Sequence, residues 1–513
     1  MIANMIGVGS EWALDHLTPG LVSSCGLATA VVFVSSTIAF ILYKRKHVQV
    51  PRHSQTFGTG GPDVIVIGSG VAGSAMAAVL ARDGRKVTVI EMSMKEPDRI
   101  VGELLQPGGV RALAKLGLSD CIEELDAHSI KGYVVHNIAD KSQVIVSYPR
   151  QEENNIVSGS AFHHGRFIMA LREQAKKEQN VTYIEGTARK LIEDNGVVVG
   201  VQYKPKDSDE SQMIYAPLTF VIDGCFSKFR KELVKEQVQT TSHFVGLLLH
   251  HCPQAVSNHA ELVLTHPSPV LVYQISSECT RVLVDVRGQM PRDMKDFLLT
   301  FICPQLPEHI QEPFRDGVVN GRVRSMPNSF LPPSPQERAG VLVLGDAYNM
   351  RHPLTGGGMS VCLNDAVIWR ELLRDIPDLT DHGSIIRALR LFHRRRKSNH
   401  SFVVNVLANA LYELFAANNE HLVCMKKACF EYFRLGGMCV EGPVSLLSVL
   451  NPKPHVLIGH FFAVAAYAVY FVFRTEPLWA LPRSVYRSAM ILLSACQVIV
   501  PLMWSETKTL LLP

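Results

Sequence analysis

Short apolar runs that end in glycine-rich turns and hand over to helical spacing set the plan of this chain. In Val341-Leu-Val-Leu344 every position is Val or Leu, which predicts a buried strand. Gly345 and Asp346 follow where it ends. Pro353 and the glycines at 356, 357 and 358 make a loop that neither helix nor strand would choose. From Met359 the spacing of Val361, Leu363, Val367 and Trp369 predicts a helix. Near the front, Asp63-Val-Ile-Val-Ile67 predicts a second strand, residues 74–82 an Ala-rich helix, and Lys86-Val-Thr-Val-Ile-Glu91 a third strand. Four short runs between 244 and 286 are separated by turn residues and predict an antiparallel sheet. Residues 167–176 predict an amphipathic helix carrying Arg172. Residues 98–109 predict a loop and then a helix start. After Trp369 the pattern is helical, over 387–416 with one break and over 421–433.

Three longer apolar stretches change the picture. Residues 26–43 carry no charge and, as a helix, span about 27 Å, close to the thickness of a bilayer's hydrocarbon core. Lys44, Arg45 and Lys46 follow, which puts their side in the cytosol and lies on the wrong side for a cleaved signal peptide. Residues 455–473 contain no Asp, Glu, Lys or Arg. Residues 488–504 are apolar and predicted to break at Pro501. With Trp479, Arg474 and Arg483 between them, these two read as a hairpin inserted in or lying on a membrane, or else as a buried pair.

Composition agrees with an excess of apolar residues at the two ends. Hydrophobic residues make up 47% of 513, mean hydropathy is +0.12, and the net charge of +4 offers no electrostatic case for nucleic acid. The 11 cysteines include no C-x-x-C pair, which argues against a disulfide framework or a zinc ribbon. His163 and His164 have no third ligand at useful spacing, so no metal is expected.

The chemistry-bearing motif is Gly68-Ser-Gly-Val-Ala-Gly73. A strand precedes it, a helix follows, and Glu91 stands 23 residues beyond Gly68. In that context Gly68 serves the tight turn, Gly70 the close approach of a pyrophosphate, Gly73 helix–strand packing, and Glu91 a ribose hydroxyl pair. The motif alone leaves FAD and NAD open. Residues 341–360 have the form of the flavin-binding stretch of FAD-dependent hydroxylases, and Ile222-Asp223-Gly224 resembles the Asp-Gly motif of that superfamily. No second G-x-G-x-x-G is present for NADPH. Arg99 is either a flavin contact or a solvated arginine.

Longer strings carry a closer resemblance. Residues 99–109, 161–172, 223–231 with Phe226-Ser-Lys-Phe-Arg230, 345–360, 400–413 with Ser401-Phe-Val-Val-Asn405, and 457–470 all resemble the squalene epoxidase family, over the chain from about residue 63 to the C-terminus. The resemblance implies an α/β fold: a Rossmann-like FAD-binding domain (63–240, with substrate-side insertions from 128, and 331–375), an antiparallel-sheet substrate domain (241–330), helices closing the substrate pocket (376–454), and C-terminal membrane-associated helices (455–513). A tail (1–25), an anchoring helix (26–43) and a linker (44–62) precede it. The expected reaction is epoxidation of squalene in sterol biosynthesis. It uses FAD, oxygen and NADPH-derived electrons delivered by a separate cytochrome reductase, at the endoplasmic reticulum membrane with the catalytic part facing the cytosol.

By the same resemblance, FAD contacts fall on Val71, Ala72, Glu91, Arg99, Arg172, Ala188, Asp346 and Met359, beside the motif glycines Gly68, Gly70 and Gly73 and the helix start at Gly357 and Gly358. Tyr133 matches a tyrosine important for activity. Pocket positions fall on Tyr273, Pro353, Phe415, Phe430, Pro443, Leu446, His460 and Phe461. Leu104 stands where an aromatic residue is expected, and Ile222 and Cys225 where Ala and Leu are. The short 44–62 linker puts sterol-regulated degradation in doubt. Two rival readings are another flavin enzyme on an apolar isoprenoid or aromatic substrate, and a non-catalytic escort of prenylated proteins built on the same dinucleotide fold.

Overall fold

The computed structural model describes residues 57–58, 60–150, 156–417 and 419–511, so the predicted anchoring helix at 26–43 lies outside the described residues. Two seven-stranded sheets carry the architecture. The first runs β10-β9-β8-β2-β1-β11-β17, with β1 Val64–Ile67, β2 Val87–Glu91, β8 Val181–Asp194, β9 Val197–Pro205, β10 Gln212–Tyr215, β11 Leu218–Val221 and β17 Val341–Val343. From β8 to β17 all neighbours are parallel. Parallel strands are covered on both faces, which is why β1 reads Val-Ile-Val-Ile with every residue buried. Helix α1 (Val71–Arg82) and helix α5 (Gly358–Arg374) pack against each other and join the sheet in one core. Both begin where a strand of this sheet has ended, β1 for α1 and β17 for α5. Their N-termini therefore lie at the carboxyl ends of parallel strands, where open α/β sheets take ligands.

The second sheet runs β16-β12-β15-β14-β13-β5-β6. Its strands are β5 Gly132–Asn137, β6 Ser142–Ser147, β12 Gln239–His250, β13 His259–Leu264, β14 Val270–Gln274, β15 Cys279–Val286 and β16 Arg324–Phe330. The expected four-stranded antiparallel sheet is thus larger, and not wholly antiparallel. β5, from more than a hundred residues upstream, pairs with β13 in parallel and brings Tyr133 beside Ala260. Alternation sorts its residues onto two faces. Val263, Val272, Val282 and Val284 pack toward helix α4 (Glu308–Val319) with Phe314, while Leu262, Leu271, Tyr273 and Leu283 face the other way, with Tyr133.

Residues 98–109, expected as a loop leading into a helix, also contribute strand β3 (Leu104–Leu105). It pairs with β7 (Gly159–Ala161), which pairs with β4 (His128–Ile130), and helix α2 (Pro107–Leu116) follows. Helix α3 (His164–Lys176) carries Arg172. The one break expected in 387–416 is a π-helical turn at Lys397–Ser401 between α6 (His382–Arg396) and α7 (Phe402–Phe415). Helices α8 (Glu420–Arg434) and α9 (Met438–Leu447) follow. The apolar hairpin is α10 (Pro454–Thr475) and α11 (Leu481–Leu511), whose mean hydropathies reach 2.1 and 1.7. Only 28% of each apolar window is buried, and Trp479, Tyr486 and Trp504 are exposed, so these helices turn most of their apolar surface outward. Pro501 does not break α11 as predicted. It removes one internal hydrogen bond, but Ile499 is fully buried against Phe402 and Leu457, and that packing holds the helix together.

Candidate active site

One cavity of about 690 Å³ runs from the G-x-G-x-x-G turn to the inner face of the second sheet. At the first end its walls are backbone. Gly68 has φ +94°, and a Cβ there would stand 2.5 Å from the Ile222 carbonyl oxygen. At Gly73 a Cβ would stand 2.0 Å from the Gly68 carbonyl oxygen, so this glycine packs helix on turn and does not line the cavity. A Cβ on Gly70 would meet nothing within 4 Å: this glycine opens onto the cavity at the start of α1. Glu91 is held in place by the Ser69 N–H at 2.6 Å and by Arg172 Nη2 at 3.5 Å, while Arg172 Nε donates to the Ser69 carbonyl at 3.1 Å. A buried polar atom is left over here too: Asp223 lines the cavity at the Asp-Gly turn, and its Oδ1 is buried with no hydrogen-bond partner. An anion-receptive helix start, a braced acid for a ribose and a backbone cradle that leaves room at Gly70 fit a dinucleotide.

The turn at Gly345-Asp346 closes the opposite wall. Arg230 fastens it to the Asp223-Gly224 turn by donating to the carbonyls of Ala347, Asp346, Gly224 and Cys225 at 2.8–3.2 Å. This brace was not singled out from the sequence, although Arg230 ends the string Phe226-Ser-Lys-Phe-Arg. Gly356 has φ +61°, and a Cβ there would reach within 2.7 Å of Leu104 Cδ2, so the loop lies directly on that side chain.

The second end is built by side chains from distant segments. Tyr133, Tyr273, Leu104, Leu271, Leu283 and Pro353 line it. Gln106 Nε2 donates to Tyr133 Oη at 2.6 Å and to the Thr355 carbonyl at 2.7 Å, and Tyr148 Oη donates to Gln106 Oε1 at 2.5 Å. Burial raises the pKa of Tyr133, so its phenol stays protonated. Behind Tyr273, the buried Glu103 accepts two hydrogen bonds from Arg281, at 2.7 and 2.8 Å. On α3, burial pushes His164 down to about 4, and its Nδ1 lies 2.7 Å from the Gly102 carbonyl.

Of the expected positions, Gly68, Gly70, Val71, Ala72, Glu91, Arg99, Arg172, Ala188, Asp346, Gly358 and Met359 all line this cavity, as do Tyr133, Tyr273 and Pro353. Gly357 does not: a Cβ there would stand 2.6 Å from Val404 Cγ1, so it serves the contact of the loop with α7. Phe415, Phe430, Pro443, Leu446, His460 and Phe461 also lie off the lining. Phe415 and Phe430 are buried in the same apolar cluster as Tyr133 and Tyr273. Leu446 packs with Phe402 and Leu457, Phe461 packs against both clusters, Pro443 sits within α9, and His460 Nδ1 lies 2.9 Å from Tyr432 Oη. Of these, Phe415 and Phe430 share a cluster with residues that line the cavity, and Phe461 packs against it. No cluster of potential metal ligands occurs among the described residues.

The family model of squalene epoxidase matches residues 215–486, and that of glucose inhibited division protein A matches 63–234. Squalene monooxygenase of Mus musculus is 58% identical over 449 residues, covering 88% of this chain and 78% of that protein. The chain belongs to the squalene epoxidase family. Squalene epoxidase 1 of Arabidopsis thaliana is 46% identical (86% of this chain, 83% of that protein), and squalene epoxidase erg1 of Schizosaccharomyces pombe is 41% identical (88% and 100%). Among solved structures, a flavin-dependent brominase superposes with a TM-score of 0.61 at 15% identity, covering 79% of this chain and 99% of that one. The p-nitrophenol 4-monooxygenase of Pseudomonas putida does so with 0.61 at 16%, covering 77% and 99%. The fold of this squalene epoxidase family member is thus the one used by flavin-dependent oxygenases and halogenases, and its cofactor is FAD.

Proposed function

We propose that this chain is an FAD-dependent monooxygenase that epoxidises squalene to (S)-2,3-oxidosqualene, an early step of sterol biosynthesis. In this reading oxygen is the co-substrate, and NADPH-derived electrons arrive through a membrane-bound cytochrome reductase. The protein works at the endoplasmic reticulum membrane with its catalytic part toward the cytosol, held there by α10 and α11, which are long and apolar enough to cross a bilayer. The observation that carries the reading is that one cavity joins a nucleotide cradle to an apolar, aromatic chamber.

When bound, FAD supplies the activated oxygen that the alkene takes up; the protein binds, orients and dries. Glu91 takes the ribose hydroxyls, and the start of α1 at Gly70 takes the pyrophosphate. Asp346 and the start of α5 hold the other half of the cofactor. Tyr133, Tyr273, Leu271 and Pro353 enclose the hydrocarbon. A hydrocarbon offers no polar handle, so position must come from shape, while each buried methylene contributes about 0.8 kcal/mol. Tyr133 Oη accepts from Gln106 Nε2, and Gln106 Oε1 is taken by Tyr148, so the Tyr133 Oη proton has no acceptor within this network and is left for the cavity.

The test is an assay of detergent-solubilised protein with FAD, NADPH, reductase, oxygen and squalene, with the product read by mass spectrometry. Oxidosqualene formation, abolished in Asp346→Ala, is the expected result. Oxygen consumed with hydrogen peroxide as the sole product would overturn squalene as the substrate.

A further inference from the structure

Arg351 is a charge that the reading above leaves unused. It is 7% exposed and lines the cavity with Gly358 and Pro353. Its Nη2 donates to the carbonyl and Oδ1 of Asn349 at 3.1 and 2.6 Å, and its Nη1 to the Gly358 carbonyl at 3.4 Å. Its Nε is buried with no partner. Among the described residues no carboxylate lies within ion-pair distance of it. Asp365 is taken by Arg396 Nε at 2.8 and 2.9 Å and by His400 Nε2 at 2.9 Å. Glu506 is taken by Lys397 at 3.2 Å and Asn405 at 2.9 Å. Asp346 faces the same cavity without pairing with Arg351.

The buried group behind the first turn of α5 holds the cations Arg351, Arg396 and Lys397 against the carboxylates Asp365 and Glu506, and Asp346 on the cavity wall is the acid that acts most on Arg351 without pairing with it. Burial keeps His400 from adding a charge by lowering its pKa. Burial also draws the Arg351 guanidinium down to about 10, without neutralising it at physiological pH. A buried cation without an acid is unfavourable, and a fold retains one where an anion arrives.

We infer that Arg351 is the built-in counter-charge for the reduced cofactor: two electrons and one proton taken up by bound FAD leave one negative charge, which this guanidinium and the α5 N-terminus stabilise together. The inference rests on FAD occupying this cavity. FAD also carries a pyrophosphate, but that has its own receptor at Gly70 and the start of α1, whereas Arg351 stands against the first residue of α5.

The experiment is an anaerobic, dye-coupled titration of the detergent-solubilised holoprotein. In Arg351→Met the midpoint potential should move negative. Affinity for reduced FAD should fall at least about tenfold relative to oxidised FAD, and Arg351→Lys should recover most of the loss. The apo form of Arg351→Met should melt above wild-type apoprotein, because the unpaired cation is gone. Equal weakening of both redox states would assign Arg351 to the pyrophosphate and overturn the inference. So would an unchanged potential.

Wild-type protein supplies a reading that does not depend on the variant folding. In mildly acidic buffer the slope of potential against pH should show one proton taken up per two electrons, and two would overturn the inference. Wild-type protein that binds no FAD defeats the proposed function as well. Wild-type protein that makes the epoxide while taking up two protons defeats this inference alone.

Discussion

The two ends of the cavity are made differently. The end proposed for the nucleotide is backbone: three glycines and one acid within a single strand-turn-helix-strand unit, with Gly68, Gly73 and Glu91 fixed by distances to main-chain atoms and Gly70 left open. The end proposed for the substrate is side chains: Tyr133 from β5, Tyr273 from β14, Leu104 from β3 and Pro353 from the loop before α5, with Gln106 tying Tyr133 to that loop. A backbone cradle tolerates almost no substitution at its closest contacts. A side-chain chamber can be reshaped residue by residue, so the first end should fail as a fold and the second should fail as a fit.

The sharpest version of that contrast lies inside the motif itself. Gly73→Ala puts a Cβ 2.0 Å from the Gly68 carbonyl oxygen. Neither backbone can move without undoing α1 on β1, and the expected loss exceeds about 4 kcal/mol, read as absence of folded protein in denaturant titration. Gly70→Ala, three residues away, meets nothing within 4 Å. It should melt like wild type yet bind FAD weakly. Equal melting of the two variants would break the distinction.

At the other end the largest effect belongs to a buried acid in the cavity wall. Glu103→Ala leaves Arg281 buried without its acid, which costs about 3–5 kcal/mol. Thermal melting measures it, and Glu103→Ala combined with Arg281→Met should recover much of the loss, because a buried pair replaced as a pair is far cheaper than one broken.

This difference also explains what could be read from the sequence. The cradle was legible because its constraints are local: G-x-G-x-x-G, a strand before, a helix after and an acid at a fixed distance, and the same holds for Gly345-Asp346 ahead of α5. The Glu103–Arg281 pair joins residues 178 apart, so nothing in either local pattern announces it. The parallel pairing of β5 with β13 was missed for the same reason: periodicity reports which residues face a core, not which strand lies alongside. Gly357 caps the helix as expected but does not line the cavity, a distinction hidden in sequence because a glycine run looks uniform. In the fold, one of the three packs against Val404, one carries the positive φ and one starts the helix.

His164 gives a pH-dependent test of the cradle's rim. Its folded pKa lies near 4, below the unfolded value of 6.5, because burial disfavours the charged ring. The unfolded chain therefore binds more protons between these values. Stability is fully present above about pH 6.5 and is lost as pH falls toward 4, by up to about 3 kcal/mol. His164→Gln should flatten that part of a stability–pH profile. A profile unchanged by the substitution would mean that His164 protonates in the fold as easily as outside it.

Gly357→Ala should cost less, about 1–3 kcal/mol, because its clash at 2.6 Å is with the Val404 side chain rather than with backbone. Val404→Ala should relieve it, and the double variant should melt above the single one. Failure of that rescue would mean that the Val404 side chain is not what the added methyl group strikes.

The smallest change in stability should accompany the most specific change in function. Tyr133→Phe removes one hydroxyl and keeps the ring, its edge-on contact with Tyr148 and its place beside Ala260. Gln106 Nε2 keeps the Thr355 carbonyl as acceptor, so the amide is not orphaned and the expected loss is about 0.5–1.5 kcal/mol. FAD binding should not change, because no atom of the cradle depends on the hydroxyl. What should fall is the yield of epoxide per oxygen consumed: the Tyr133 proton is the donor at this end of the cavity that the network leaves unspent. Oxygen uptake and product, measured together, separate the outcomes. A fall in both would put Tyr133 in the cradle's service. A fall in product alone would place its hydroxyl with the substrate.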